Sequence, residues 1–170
     1  FAQEQTTDPL DEAAAFVDSE KGVETLDDAL AGARDIIAEL VNEDQVARAR
    51  MRALYAEKGV LQARVVPGKE DEGNKYRDYF NWREPVKGAP SHRILAMRRG
   101  ETEGVLTLHL HPPEAEALAL LETLFVKGNG AAAHQVWTAV QDSYKRLLSQ
   151  SMETENRQAT KERADAEAIR

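Results

Sequence analysis

The sequence contains no cysteine. Disulfides, thiol catalysis and zinc sites built on cysteine are therefore excluded, and the composition suits a reducing compartment. No apolar run approaches the roughly 20 residues that a membrane-spanning helix needs. The opening FAQEQTTDPLDEAAAF is acidic where a secretory signal is basic, so a soluble, cytoplasmic protein is expected. Aromatic residues are scarce, at 6%, and cations are outnumbered, 22 Lys and Arg against 30 Asp and Glu, for a net charge of -8. That charge excludes wholesale coating of a phosphate backbone, which requires basic contacts throughout. Any nucleic-acid role must sit on a local patch.

What is present is the composition of a soluble globular chain, 42% apolar and 31% charged over 170 residues. The length supports one good core, or a helical domain with a smaller lobe. The chain opens on Phe1 without an initiator Met and closes on ADAEAIR within a helical pattern, so a piece of a longer protein is expected.

Residues 1–58 read as an N-terminal helical group. Asp8 is placed as an N-cap with Pro9 at the first helical position. Thr25 and Asp28 stand at capping-box spacing ahead of a face formed by Leu26, Leu30, Ala33, Ile37, Leu40 and Val41. A third helix is predicted after Asn42 or Asp44, with Val46, Ala49, Ala53 and Leu54 facing inward and Gly59 as its stop. Residues 59–112 form a mixed segment. Leu106, Leu108 and Leu110 alternate with Thr107, His109 and His111, the pattern of a strand with one buried face, and Leu61 to Val66 is its one good internal partner. Between them a loop and a helix capped by Ser91 are predicted. Residues 113–170 return to helix, with Val136, Val140, Tyr144 and Leu147 on one stripe. The last stretch is charged nearly all round, which reads as a helix bridging to a neighbouring domain. The predicted fold is mainly α, a multi-helix scaffold with a small antiparallel β element.

Three constellations could carry chemistry. His109 and His111 sit at i and i+2 on one strand face, where a metal can be gripped. The sequence gives no reason to bring His92 or His134 near as a third ligand, so these read as solvent-facing strand histidines and no metal is assigned. The acidic residues fall mostly at caps, first turns and exposed helix faces. Neither a G-x-S-x-G elbow nor a phosphate-binding glycine loop occurs, so no catalytic residue, cofactor or enzymatic activity is assigned.

The third constellation is a basic window. Between Lys75 and Arg99, seven cations (Lys75, Arg77, Arg83, Lys87, Arg93, Arg98 and Arg99) face two acids (Asp78 and Glu84), a local charge of +5 in a molecule of -8. Within it, NKYRDYFNWREP interleaves Tyr76, Tyr79, Phe80 and Trp82 with cations, the residue types that stack on and neutralise single-stranded nucleic acid. Tyr76, Tyr79, Phe80 and Arg83 also follow helical i, i+3, i+4, i+7 spacing, which favours a buried ring face with arginines reaching over it. Lys75, Arg77, Arg83, Arg93, Arg98 and Arg99 are accordingly the candidate nucleic-acid-binding residues.

The stretch from Gly68 to Leu106, GKEDEGNKYRDYFNWREPVKGAPSHRILAMRRGETEGVL, resembles the bacterial Tex family of transcription accessory proteins. ALAGARDIIAEL, Ala29 to Leu40, and QDSYKRLLSQSMETENRQATKERADAEAI, Gln141 to Ile169, resemble the same family. The resemblance implies a cytoplasmic, multidomain parent related to a eukaryotic Spt-type elongation factor. This chain would be its N-terminal helical region, upstream of a YqgF-type RNase-H-like module. It also implies RNA or DNA as partner through the full-length protein, with neighbouring domains of the same chain, and transcription regulation as the setting. Docking on the transcription machinery as a protein-interaction module is the alternative, and neither reading involves a membrane.

Overall fold

In the computed structural model Gln3 and residues 8–169 are described. Helix α1 (Pro9–Ala13) begins where the sequence places it, with Asp8 accepting a hydrogen bond from the Leu10 N–H. It is followed by 3-10 turns and by α2 (Leu26–Glu43), whose capping box is complete: Thr25 accepts from the Asp28 N–H, and Asp28 accepts from the Thr25 N–H. Then come α3 (Gln45–Lys58), β1 (Val60–Val65), a 3-10 helix (Asn74–Tyr79), β2 (Asn81–Pro85), α4 (Ser91–Thr102), β3 (Leu106–His111) and α5 (Glu114–Phe125). Helix α6 (Ala131–Ser143) passes through one π turn (Tyr144–Leu148) into α7 (Ser149–Ile169). The fold is mainly α with one three-stranded antiparallel sheet, in the order β2-β1-β3.

Two compact units are formed. One takes in the described residues of Phe1–Arg50 together with Ala115–Gln150, and the other Met51–Glu114 together with Ser151–Arg170. Each assembles from two distant stretches because apolar faces, not sequence neighbourhood, decide what packs.

In the first unit α2 lies against α6. The fully buried Ser143 hydroxyl donates to the Ala38 carbonyl at 2.6 Å, and Arg34 reaches Gln135 at 2.6 Å. Leu30, Ala38 and Val41 are the buried face of α2. Leu26 and Leu40, expected on that face, are 39% and 49% exposed. On α3 Asp44 caps the Ala47 N–H at 2.8 Å, but the buried stripe is Ala47, Met51 and Tyr55, and the expected Val46 is 55% exposed. The two stripes differ by one residue of rotation, and the one carrying the larger side chains is buried.

The second unit is built on the sheet. Leu61 and Ala63 of β1 and Leu106, Leu108 and Leu110 of β3 form its buried face, as the alternation predicts. Ile94 and Met97 of α4 are buried in the same unit. The chain enters α4 from Pro90 in extended conformation, with no side-chain cap, so the cap predicted at Ser91 is not formed. Gly100 allows close approach, since a Cβ there would stand 2.5 Å from the Leu106 side chain. Helix α7 is charged nearly all round in sequence, yet it buries Met152, Asn156 and Ala164 at four- and eight-residue spacing. Met152 is the one large apolar residue of the three, which is why hydrophobicity does not reveal the stripe.

The NKYRDYFNWREP stretch departs most from its helical reading. Asn74–Tyr79 is 3-10, and the chain then extends so that Arg83 pairs with Gln62 across β2 and β1. Tyr76 is buried with Val105 and Leu106, and Tyr79 and Phe80 pack partly against them. Burial of the rings is therefore correct for Tyr76 although the helical spacing is not. A ladder with β1 supplies backbone hydrogen bonds that a solitary helical turn lacks, and Pro85 is tolerated because β2 is an edge strand.

Candidate functional site

The fold divides the six predicted cations into two groups. Lys75 bonds the Glu103 carboxylate at 3.1 Å, an attraction that raises its pKa above the usual lysine range. Arg93 donates from two nitrogens to Glu84 at 3.0 Å each and lies 5.7 Å from the centre of the Trp82 ring. Arg98 stands 3.6 Å from Glu101. These three serve internal pairs. Arg77, Arg83 and Arg99 make no ion pair among the described residues, and all three are exposed.

Glu84 shows what holds Arg93 in place. Burial raises its pKa, but hydrogen bonds from Arg93 and from the Trp82 indole N–H, 3.1 Å away, outweigh burial and leave it below the usual glutamate range. Trp82 is therefore tied edge-on to Tyr79, with centroids 5.9 Å apart, and fixed at its nitrogen. Its ring is engaged within the unit.

The other face of the sheet is exposed at Arg64, Asn81, Arg83, Thr107 and His109, with Glu153 of α7 set against its β3 edge. Because residues alternate across a strand, Arg64 and Gln62 of β1, Asn81 and Arg83 of β2, and Thr107 and His109 of β3 share it in register. No carboxylate occurs among these six residues. Arg83 and Arg64 thus present two guanidinium groups on an exposed antiparallel surface, with Arg77 in the 3-10 helix shortly before β2 in the chain. Arg64 lay outside the basic window and was missed. The sequence signal for it was its alternation with the buried Ala63 and Leu61.

At the β3 edge the structure supplies what the sequence could not. Glu153 of α7 places one carboxylate oxygen 3.0 Å from Nδ1 of His109 and its other oxygen in direct contact with Nε2 of His111. The Tyr55 hydroxyl lies 3.3 Å from Nδ1 of His111, and the two imidazoles stack at 17° with centroids 6.3 Å apart. Burial raises the Glu153 pKa, while hydrogen bonds from His111 and His109 lower it by more. His109 and Glu153 stand 44 positions apart, and no sequence pattern announces their contact. No helix among the described residues is long and apolar enough to cross a membrane.

Comparison with known proteins gives one consistent family. A family model described as Tex central region-like matches residues 4–170. Protein YhgF of Escherichia coli is 38% identical over 168 residues, covering 92% of this chain and 22% of that protein. Protein tex of Bordetella pertussis is 33% identical over 177 residues, covering 96% of this chain and 22% of that protein. Transcriptional accessory protein Tex of Neisseria gonorrhoeae is 35% identical over 147 residues, covering 83% of this chain and 19% of that protein. The chain thus spans about a fifth of the length of the curated relatives it matches.

Proposed function

The chain belongs to the Tex central region-like family, and on that premise we propose that it is a non-catalytic scaffold segment of a Tex-like transcription accessory protein. It lends a basic surface to RNA or DNA held by the full-length protein in the cytoplasm. The observation that supports this most directly is the separation of the cations. Lys75, Arg93 and Arg98 are consumed by carboxylates, whereas Arg77, Arg83 and Arg99 remain exposed without an ion pair among the described residues. Cations left unneutralised in an acidic protein are the groups able to release counterions from a phosphate backbone.

The exposed sheet face gives the surface a shape. Guanidinium groups at Arg64 and Arg83 contact phosphates through forked donors, and Gln62, Asn81 and Thr107 can hydrogen-bond backbone oxygens beside them. No Phe, Tyr or Trp lies among the register residues of this face, so the contacts are mainly to phosphate and sugar and carry little sequence preference. The rings that suggested stacking serve the interior instead.

The test is a salt series on binding of single-stranded RNA and DNA to the protein and to a variant carrying Arg77→Gln, Arg83→Gln and Arg99→Gln. For single strands each phosphate contact contributes about 0.7 to the slope of log K against log salt. Loss of three contacts lowers that slope by about 2. An unchanged slope and affinity would overturn the assignment of these arginines.

A second reading, docking on the transcription machinery as a protein-interaction module, is favoured by the first unit, which exposes Phe16 at 70% and Ile36 at 62%. Exposed apolar side chains of that size suit a protein partner. Binding through them would resist salt where the arginine contacts do not, so the same salt series separates the two.

A further inference from the structure

We propose that His109, His111 and Glu153 form a binding site for a transition-metal dication of the zinc class, joining β3 to α7 within the second unit. The three side chains each offer a donor atom, and these atoms lie within 4.8 Å of one another. Two imidazole nitrogens and one carboxylate oxygen are a donor set that zinc accepts and that calcium or magnesium, which require oxygen, does not. Tetrahedral zinc with bonds of about 2.0–2.1 Å separates its donors by about 3.4 Å. The 3.0 Å between Nδ1 of His109 and the Glu153 carboxylate is already near that spacing, and the histidine pair needs a contraction that rotamer adjustment on the exposed strand face supplies.

Three further observations separate this cluster from an ordinary surface ion pair. His109 and His111 stand at i and i+2, so one strand face delivers both rings with the same hand, and they lie within 17° of parallel. The second nitrogen of His111 has a partner of its own in the Tyr55 hydroxyl at 3.3 Å, and Tyr55 is fully buried. The hydroxyl can accept from Nδ1–H, so when a metal takes Nε2 in place of the proton now shared with Glu153, the other ring nitrogen keeps a partner. Glu153 is largely buried, with 14% of its side chain exposed, whereas His109 is 61% exposed. The carboxylate is thereby held rigid while the histidine side gives a metal its way in.

The surroundings set the affinity. Arg157 lies 4.0 Å from the Glu153 carboxylate. Arg83 lines the same surface cavity as His109 and His111, which also includes Gln62 and Glu114. Both cations repel a dication, so this site is weaker than one ringed by carboxylates. Three protein donors leave a fourth position for water.

Protein treated with a chelator and freed of any affinity tag is dialysed against Zn2+ or Co2+, and bound metal is measured by elemental analysis with the Co2+ absorption spectrum as a geometric readout. The expected result is about one metal per chain with an intense tetrahedral-type Co2+ band. Affinity should fall at least tenfold in His109→Gln and in Glu153→Gln, about 10- to 100-fold in Tyr55→Phe, and rise in Arg83→Gln. His109→Gln is an exposed change that leaves the fold intact, as circular dichroism would verify, so its loss of metal is a loss of ligand. Sub-stoichiometric binding by the wild-type chain, or binding that survives His109→Gln unchanged, overturns the proposal. Because this readout is metal content, it stands or falls independently of nucleic-acid binding.

Discussion

Arg93 and Glu84 meet through two hydrogen bonds of 3.0 Å, one from Nε and one from Nη2, each to a separate carboxylate oxygen. The bidentate geometry links α4 to β2, and the Trp82 indole N–H adds a third donor to the same carboxylate. An arginine that counts as a nucleic-acid ligand by composition is thereby a structural tie. Glu84→Gln should cost about 2 kcal/mol of unfolding free energy, the scale of a hydrogen bond to a charged partner. Urea unfolding monitored by Trp fluorescence measures it. Arg93→Gln should weaken stability while leaving the salt slope of nucleic-acid binding unchanged, the reverse of Arg83→Gln.

The same pair predicts an acid limb. Glu84 has its folded pKa below the usual glutamate value of 4.5, because hydrogen bonds from Arg93 and Trp82 outweigh the opposing effect of burial. A depressed carboxylate pKa stabilises the folded state above the unfolded pKa, and that stabilisation disappears as pH falls through the folded value. The difference in urea midpoint between wild type and Glu84→Gln should therefore be constant near pH 7 and shrink below about pH 4. A difference that stays constant down to pH 3 would count against the pair as its source.

Gly100 in the last turn of α4 should resist the substitution that helix propensity recommends. Alanine favours helix over glycine by about 1 kcal/mol. Its Cβ, however, would stand 2.5 Å from one Leu106 methyl and 2.9 Å from its Cγ, and Leu106 is only 2% exposed. Overpacking a filled core costs about 1–3 kcal/mol, so Gly100→Ala should be net destabilising, visible as a lowered thermal midpoint. A raised midpoint would show that Leu106 has room to retreat.

Ser143 supplies a test confined to the first unit. Its side chain is fully buried and its hydroxyl donates to the Ala38 carbonyl at 2.6 Å. Ser143→Ala removes the bond with little change in volume and should cost about 1 kcal/mol. Ser143→Val adds bulk at the α2–α6 contact and should cost more, which calorimetry would resolve.

Caps and strands were legible where a local rule decides them. Asp8, Thr25 with Asp28, and Asp44 cap as their chemistry requires, and the leucine alternation of β3 specifies both its buried face and its pairing with β1. Burial was less legible on helices with two competing stripes, as Val46 and Met51 show on α3. It was not legible on α7, where Asn156 and Ala164 occupy interior positions that hydrophobicity assigns to the surface. Tyr76, Tyr79, Phe80 and Arg83 share a helical spacing, while the pairing that makes Trp82 and Arg83 a strand comes from residues about 20 positions earlier. The candidate site divides in the same way. Arg77, Arg83 and Arg99 could be named from charge alone, but their distinction from Lys75, Arg93 and Arg98 depends on Glu103 and Glu84 arriving from other parts of the chain and on Glu101 one turn along α4 from Arg98.

The interleaving of the two compact units constrains how the chain can be made. Each unit joins a stretch ahead of residue 114 to one that follows it. During synthesis the first unit lacks α6 until residue 143 has been released, and the second lacks the buried Met152, Asn156 and Ala164 until α7 is nearly finished. Until then α2 exposes Ala38 and Val41, and the leucines of β1 and β3 have no complete cover. Domains often fold in order from the N-terminus as they emerge; here the closing contacts of both units come late, so the nascent chain waits longest at the stage when its apolar surface is greatest.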